Sequence, residues 1–125
     1  AGKRIGPPEI EAALTETGKV VDAAAIAAPD DIKGVAVVCV CVAAPGVTPD
    51  DALVEQLRNQ VGEVVSKPFR PREIHFVEAL PKTRSMKTMR RIVRAAFLDE
   101  DPGDLSSISN PETIQPIAKL RKEKP

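Results

Sequence analysis

The spacing of apolar residues predicts an α+β fold, in which a central antiparallel sheet of about three strands is flanked by helices. Two Ala- and Val-rich runs, residues 20–28 and 35–44, lie close together and are closed by Pro29-Asp30 and Pro45-Gly46. A shorter run, Glu73-Ile74-His75-Phe76-Val77, stands apart from them. Around these strands, apolar residues recur at helical spacing. At 125 residues the chain is one domain's worth of polypeptide, so a single small domain is the economical expectation.

Taken in order, the first element is a helix over residues 7–17. Pro7 and Pro8 suit a first turn, where a missing N–H costs nothing, and Ile10, Ala13 and Leu14 then share one face until Gly18. The polar link at residues 29–34 is short, which makes the two long strands antiparallel neighbours. Thr48, Pro49, Asp50 and Asp51 predict a second helix start, with the Thr48 hydroxyl as cap, and Leu53, Leu57, Val61 and Val64 line its inner face. Lys67, Pro68, Arg70, Pro71 and Arg72 end that helix in a basic loop before the third strand, residues 73–77. A helix over residues 88–98 buries Ile92, Val93, Ala96 and Phe97, leaving Arg90, Arg91 and Arg94 on a solvated face. Residues 1–98 read as the domain and 99–125 as a tail rich in Pro, Gly, Ser and Asp, with a last helical stretch near 111–122 interrupted by Pro116.

Composition narrows the function classes. The chain has no Trp or Tyr and only Phe69, Phe76 and Phe97, so aromatic platforms for stacked bases are absent. No apolar stretch approaches the roughly 20 residues that cross a bilayer, and a soluble, cytoplasmic protein without a membrane span is expected. Cys39 and Cys41 alternate on one strand face, which suits small core residues better than a disulfide or a metal site. No metal ligands are assigned. His75 reads as a strand residue, with no acid or nucleophile evident beside it. Lys82, Arg84, Lys87, Arg90, Arg91 and Arg94 make six cations with no acid between Glu78 and Asp99, in a chain of zero formal net charge. That segregation creates a local positive field suited to a polyanion such as a nucleotide.

Two stretches carry a further signal. Arg4-Ile5-Gly6-Pro7-Pro8-Glu9-Ile10-Glu11 and Leu80-Pro81-Lys82-Thr83-Arg84-Ser85-Met86-Lys87 resemble the two signature segments of the C-terminal domain of AMP-forming acyl-CoA synthetases, members of the adenylate-forming superfamily. Ala28-Pro29-Asp30-Asp31, Lys33-Gly34 and Gly103-Asp104-Leu105-Ser106 extend the resemblance over nearly the whole chain, the last toward acetyl- and propionyl-CoA synthetases. The resemblance implies a two-step ligase using ATP, CoA and Mg2+, in which a carboxylate first forms an acyl-adenylate and the CoA thiol then displaces AMP. It implies that Lys87 is the catalytic lysine, that Arg4 lies near the nucleotide phosphates, and that Gly2 lines the pantetheine channel, although Lys3 stands where the family has His, Tyr or Phe. Glu9 and Glu11 are expected to steady the first turn of their helix.

The same resemblance implies a partner, the protein's own large N-terminal adenylation domain, which would lie upstream of Ala1 together with the hinge and hold most of the ATP and Mg2+ site. The chain is accordingly expected to be a piece of a longer protein and inactive alone, with the choice of carboxylic acid made elsewhere. Two departures matter. Met86 replaces the glycine before the lysine, and Gly62 falls where some acetyl-CoA synthetases place an arginine on the CoA nucleotide, a charge that Lys67, Arg70 or Arg72 could supply. Two other classes compete: a nucleic-acid-binding module on the 82–94 segment, and a non-catalytic interaction domain.

Overall fold

The structure, a computed structural model, describes residues 5–122, so Gly2 and Arg4 lie outside the described residues. In chain order it contains α1 (Pro7–Thr15), β1 (Val20–Asp30), β2 (Gly34–Ala43), α2 (Asp51–Val64), β3 (Glu73–Phe76), α3 (Arg90–Leu98) and α4 (Ile114–Lys122), with 3-10 turns at Lys67–Phe69 and Pro111–Thr113. The α+β class and the three strands match expectation. The strand directions match in part.

β1 and β2 form an antiparallel hairpin from Val20↔Ala43 to Asp30↔Gly34. Asp30 organises the turn by accepting from the Ile32 and Lys33 amides at 3.2 and 2.9 Å. β3, however, runs parallel to β2, from Val38↔Glu73 to Cys41↔Phe76, so the sheet is mixed rather than wholly antiparallel. The cause is α2. A helix inserted between two strands returns the chain to the end where the first strand began, which makes the next strand parallel.

Because helices cover both faces, β1 and β2 read as continuous apolar runs. Ala23, Ala25, Cys39 and Cys41 point to one face and pack with Ile10 and Leu14 of α1 and Leu53, Leu57 and Val61 of α2. Ala24, Ile26, Val38 and Val40 point to the other, against Val93 and Phe97 of α3 and Ile117 of α4. Both cysteines are free and buried, and burial pushes Cys39 far up and Cys41 up to about 12.

Two local expectations are corrected. The cap of α2 is Asp50, whose carboxylate accepts from the Leu53 amide at 2.9 Å, and Thr48 lies a step outside. A carboxylate at this position also faces the positive helix end, which a hydroxyl exploits less. Pro116 does not interrupt the last helix; it is the third residue of α4, in the first turn, where no i−4 carbonyl awaits its missing N–H. The tail is docked: Ile117 is fully buried and the Arg121 guanidinium donates to the Leu98 carbonyl at 3.0 Å.

Candidate functional site

Between β3 and α3 the chain forms a small hairpin whose base is buried and whose tip is bare. Leu80 and Pro81 are buried, and Lys82 pairs across the base with Thr88. The Lys82 ammonium reaches Asp22 on β1 at 2.7 Å and the Thr88 hydroxyl at 2.8 Å. At the tip, Met86 N–H donates to the Thr83 carbonyl at 2.9 Å, Thr83 N–H to the Lys87 carbonyl at 3.0 Å, and Lys87 N–H to the Thr83 hydroxyl at 3.1 Å. These bonds close a tight turn. Met86 occupies it with φ +69°, the left-handed region where glycine is at ease, and its side chain is 69 % exposed. The loop therefore keeps a glycine-like backbone without the glycine.

Lys87 is exposed, and its ammonium makes no hydrogen bond or ion pair among the described residues. It borders an open groove of about 480 Å³ shared with Thr83, Arg84, Ser85, Ser106 and Ser107, which has no acid in its lining. Arg84 is likewise exposed and unpaired among the described residues. The other four cations of the segment are committed. Lys82 holds Asp22; Arg90 grips Glu11 through two bonds of 2.7 and 2.6 Å; Arg91 donates to the Asp104 carbonyl at 2.9 Å; Arg94 donates to the Ala27 carbonyl at 3.0 Å and to Glu100 at 2.6 Å. The expected solvated arginine face is thus a set of tethers. Among the described residues, Lys87 and Arg84 are the two of these six cations without a hydrogen bond or ion pair.

The Glu11 tether was not evident from the sequence. Glu9 does steady α1, accepting from the Gly6 amide at 2.6 Å. Glu11 instead leaves its helix to accept from the Ala25 amide at 2.8 Å on the outer edge of β1, while also holding Arg90. That bidentate contact lifts the Arg90 guanidinium above its ordinary range. Glu11 and Arg94 together occupy an amide and a carbonyl on the open edge of the sheet, which protects that edge from pairing with another chain. The available clue was the acid-free run 79–98, whose cations had to find partners elsewhere in the chain.

His75 lies on β3 with its Nε2 2.8 Å from Glu73 and its ring 5.3 Å from that of Phe97. Strand alternation places this acid, two residues earlier, on the same face as His75. It gives His75 a structural partner. Among the described residues no group of three or more His, Cys, Asp or Glu could hold a metal ion.

The basic loop after α2 borders a groove of about 620 Å³. Arg70 folds back on α2, bonding Glu55 and Asn59, with its stem 3.6 Å from where a Gly62 side chain would begin. Arg72 bonds Asp30 at 3.1 Å and Glu73 at 3.0 Å. Amide hydrogen bonds, foremost from Lys33, together with Arg72, hold the Asp30 carboxyl below its ordinary range. Of the three cations proposed for the missing nucleotide contact, only Lys67 has no partner among the described residues.

Comparison with known proteins adds an independent line. The family described as "AMP-binding enzyme C-terminal domain" matches residues 9–87. The acetyl-coenzyme A synthetase of Methanothrix soehngenii is 38% identical over 120 residues, covering 96% of this chain and 18% of the relative. The 3-hydroxypropionyl-coenzyme A synthetase of Metallosphaera sedula is 37% identical over 123 residues, covering 98% of this chain and 18% of its own length. Among solved structures, an acyl-CoA synthetase from Brucella canis superimposes with a TM-score of 0.73 at 37% identity, over 78% of this chain and 18% of that one. The chain therefore spans about a fifth of the length of the relatives it matches.

Proposed function

The chain belongs to the AMP-binding enzyme C-terminal domain family, and from that premise we propose that it is the mobile C-terminal domain of an ATP-dependent, AMP-forming acyl-CoA synthetase. In this reading its partner is the protein's own N-terminal adenylation domain, and Lys87 is the catalytic residue. The observation that carries the proposal is a bare ammonium on a turn whose two stems are fastened to the core, facing a groove free of acids in its lining. Such a group is positioned in advance and loses little freedom when a second surface closes over it.

In the first half-reaction a carboxylate oxygen attacks the α-phosphorus of ATP. A carbon–oxygen–phosphorus link forms and the bond to the bridging oxygen of pyrophosphate breaks. Two anions approach as this happens, and charge grows on the bridging and non-bridging oxygens. The Lys87 ammonium, a compact charge on a flexible stem, orients the carboxylate and stabilises that charge without transferring a proton. In the second half-reaction the CoA thiol, losing its proton, attacks the acyl carbon and AMP departs with the bonding pair. Arg4 near the phosphates and Gly2 beside the pantetheine arm belong to this account as proposals.

The rival nucleic-acid role is less well supported, since Lys82, Arg90, Arg91 and Arg94 already bond other groups of this chain. The functional test uses the longer protein that carries this chain. With a short carboxylic acid, ATP and CoA it is expected to release AMP and pyrophosphate and form the thioester, while the 125-residue chain alone forms none. ADP in place of AMP, or thioester from the isolated chain, would refute the proposal.

A further inference from the structure

Residues 108–110 lie beyond the stretch matched by the family, yet they enter the hydrogen bonding of the lysine hairpin. The side-chain amide of Asn110 satisfies two main-chain groups on that hairpin's first stem at once. Its Nδ2 donates to the Leu80 carbonyl at 2.9 Å and its Oδ1 accepts from the Lys82 amide at 2.8 Å, the bonds a neighbouring strand would otherwise make. Ser109 continues the pattern, its amide donating to the Lys82 carbonyl at 2.8 Å and its hydroxyl to the same oxygen at 3.1 Å. Ile108 then bridges Thr83.

Asn110 is itself fixed. Its carbonyl accepts from the Thr113 amide at 3.1 Å and hydroxyl at 2.7 Å, and the helix that follows is anchored by the fully buried Ile117. A short path therefore runs from the core through Asn110 and Lys82 to Thr83, and Thr83 carries the bonds that set the Lys87 backbone.

We propose that Asn110 is a positioning residue for Lys87, and that the tail segment 108–110 is a working part of the lysine site. This rests on the assignment of Lys87 to adenylate formation. Without the Asn110 amide, the Leu80 carbonyl and Lys82 amide lose their partners, the stem loosens, and the ammonium spreads over more positions. A displacement of about 1 Å from a productive geometry costs on the order of 100-fold in rate.

The experiment compares Asn110→Leu, close in size but without polar atoms, with Asn110→Asp, which keeps an acceptor for the Lys82 amide, both in the longer protein. Carboxylate-dependent exchange of pyrophosphate into ATP and thioester formation from supplied acyl-adenylate are measured separately. Asn110→Leu is expected to slow exchange by about 100-fold and leave thioester formation within about twofold, with Asn110→Asp recovering most of the exchange. Unchanged exchange, an equal fall in both half-reactions, or no recovery with Asp overturns the proposal. Should Asn110→Leu fold poorly, amide hydrogen exchange of Asn110→Ala, which removes both bonds without added bulk, and of the parent chain decides: residues 82 and 83 are expected to be less protected in the variant while β2 is unaffected, and equal protection overturns it. Lys87→Ala in the same exchange assay separates the two ideas. If it leaves exchange intact the parent assignment fails, whereas if it abolishes exchange and Asn110→Leu does not, only the positioning role fails.

Discussion

At the scale of single residues, Met86 shows how a motif can change its chemistry and keep its shape. A side chain at φ +69° costs about 1 kcal/mol relative to ordinary backbone, and this one is mostly in water, so it recovers little by packing. Met86→Gly removes that strain but adds unfolded-state freedom of nearly similar size. The net expectation is a gain of up to about 0.5 kcal/mol in urea denaturation, and a β-branched Met86→Val loses about 1 kcal/mol or more. A marked loss in the glycine variant would show that the turn does not hold this conformation. The cysteines make a second prediction. Both are buried thiols, so a thiol reagent is expected to label neither in the native state and both after denaturation. Because Cys41 is raised from 9.0 to about 12, the unfolded chain releases that proton first as the solution becomes alkaline. Its contribution to stability is therefore fully present below pH 9.0 and is lost as pH rises toward about 12, which pH-dependent urea denaturation with and without Cys41→Ala would reveal.

At the scale of elements, the sequence located every helix and strand because each carries its own period, but it could not assign strand direction by period alone. β3 was expected to be antiparallel although the strand–helix–strand order around α2 already implied a parallel return. The caps were legible only as a cluster of candidates, since Thr48 and Asp50 both satisfy the local rule and the choice depends on where the chain leaves the hairpin. The tethers between elements were hidden for a different reason: Glu11 and Arg90 are 79 residues apart, and neither position announces its partner. That pair joins α1, the β1 edge and α3. Glu11→Ala leaves the Ala25 amide and the Arg90 guanidinium without it, and the Arg90 side chain's 37 % exposure tempers the cost to about 2 kcal/mol. Thermal denaturation of the chain measures this. A change near zero would mean that water replaces the carboxylate without loss.

At the scale of the whole molecule, the sheet separates the motif-bearing elements. α1, which carries the first signature segment, packs on one face with α2, and α3, which follows the lysine hairpin, packs on the other. A domain that presents different surfaces in two half-reactions needs such a division, and a modest contact with its larger partner would let it turn between them. The motif singled out Lys87 in the sequence; that it and Arg84 are the two of six cations without a partner among the described residues was not legible there, because pairing depends on the fold. The basic loop gives a prediction at this scale. With Arg70 and Arg72 engaged internally, Lys67→Gln is expected to raise the apparent requirement for CoA several-fold without changing pyrophosphate exchange, and an unchanged requirement removes Lys67 from the site.

In the proposed reaction, one ammonium, unpaired among the described residues at the tip of a braced turn, serves adenylate formation. Single-turnover measurement of acyl-adenylate formation in the longer protein carrying Lys87→Ala tests it directly. A fall of at least about 100-fold is expected, with supplied acyl-adenylate still converted to thioester. Adenylate formed at the parental rate, with thioester formation lost instead, would contradict it.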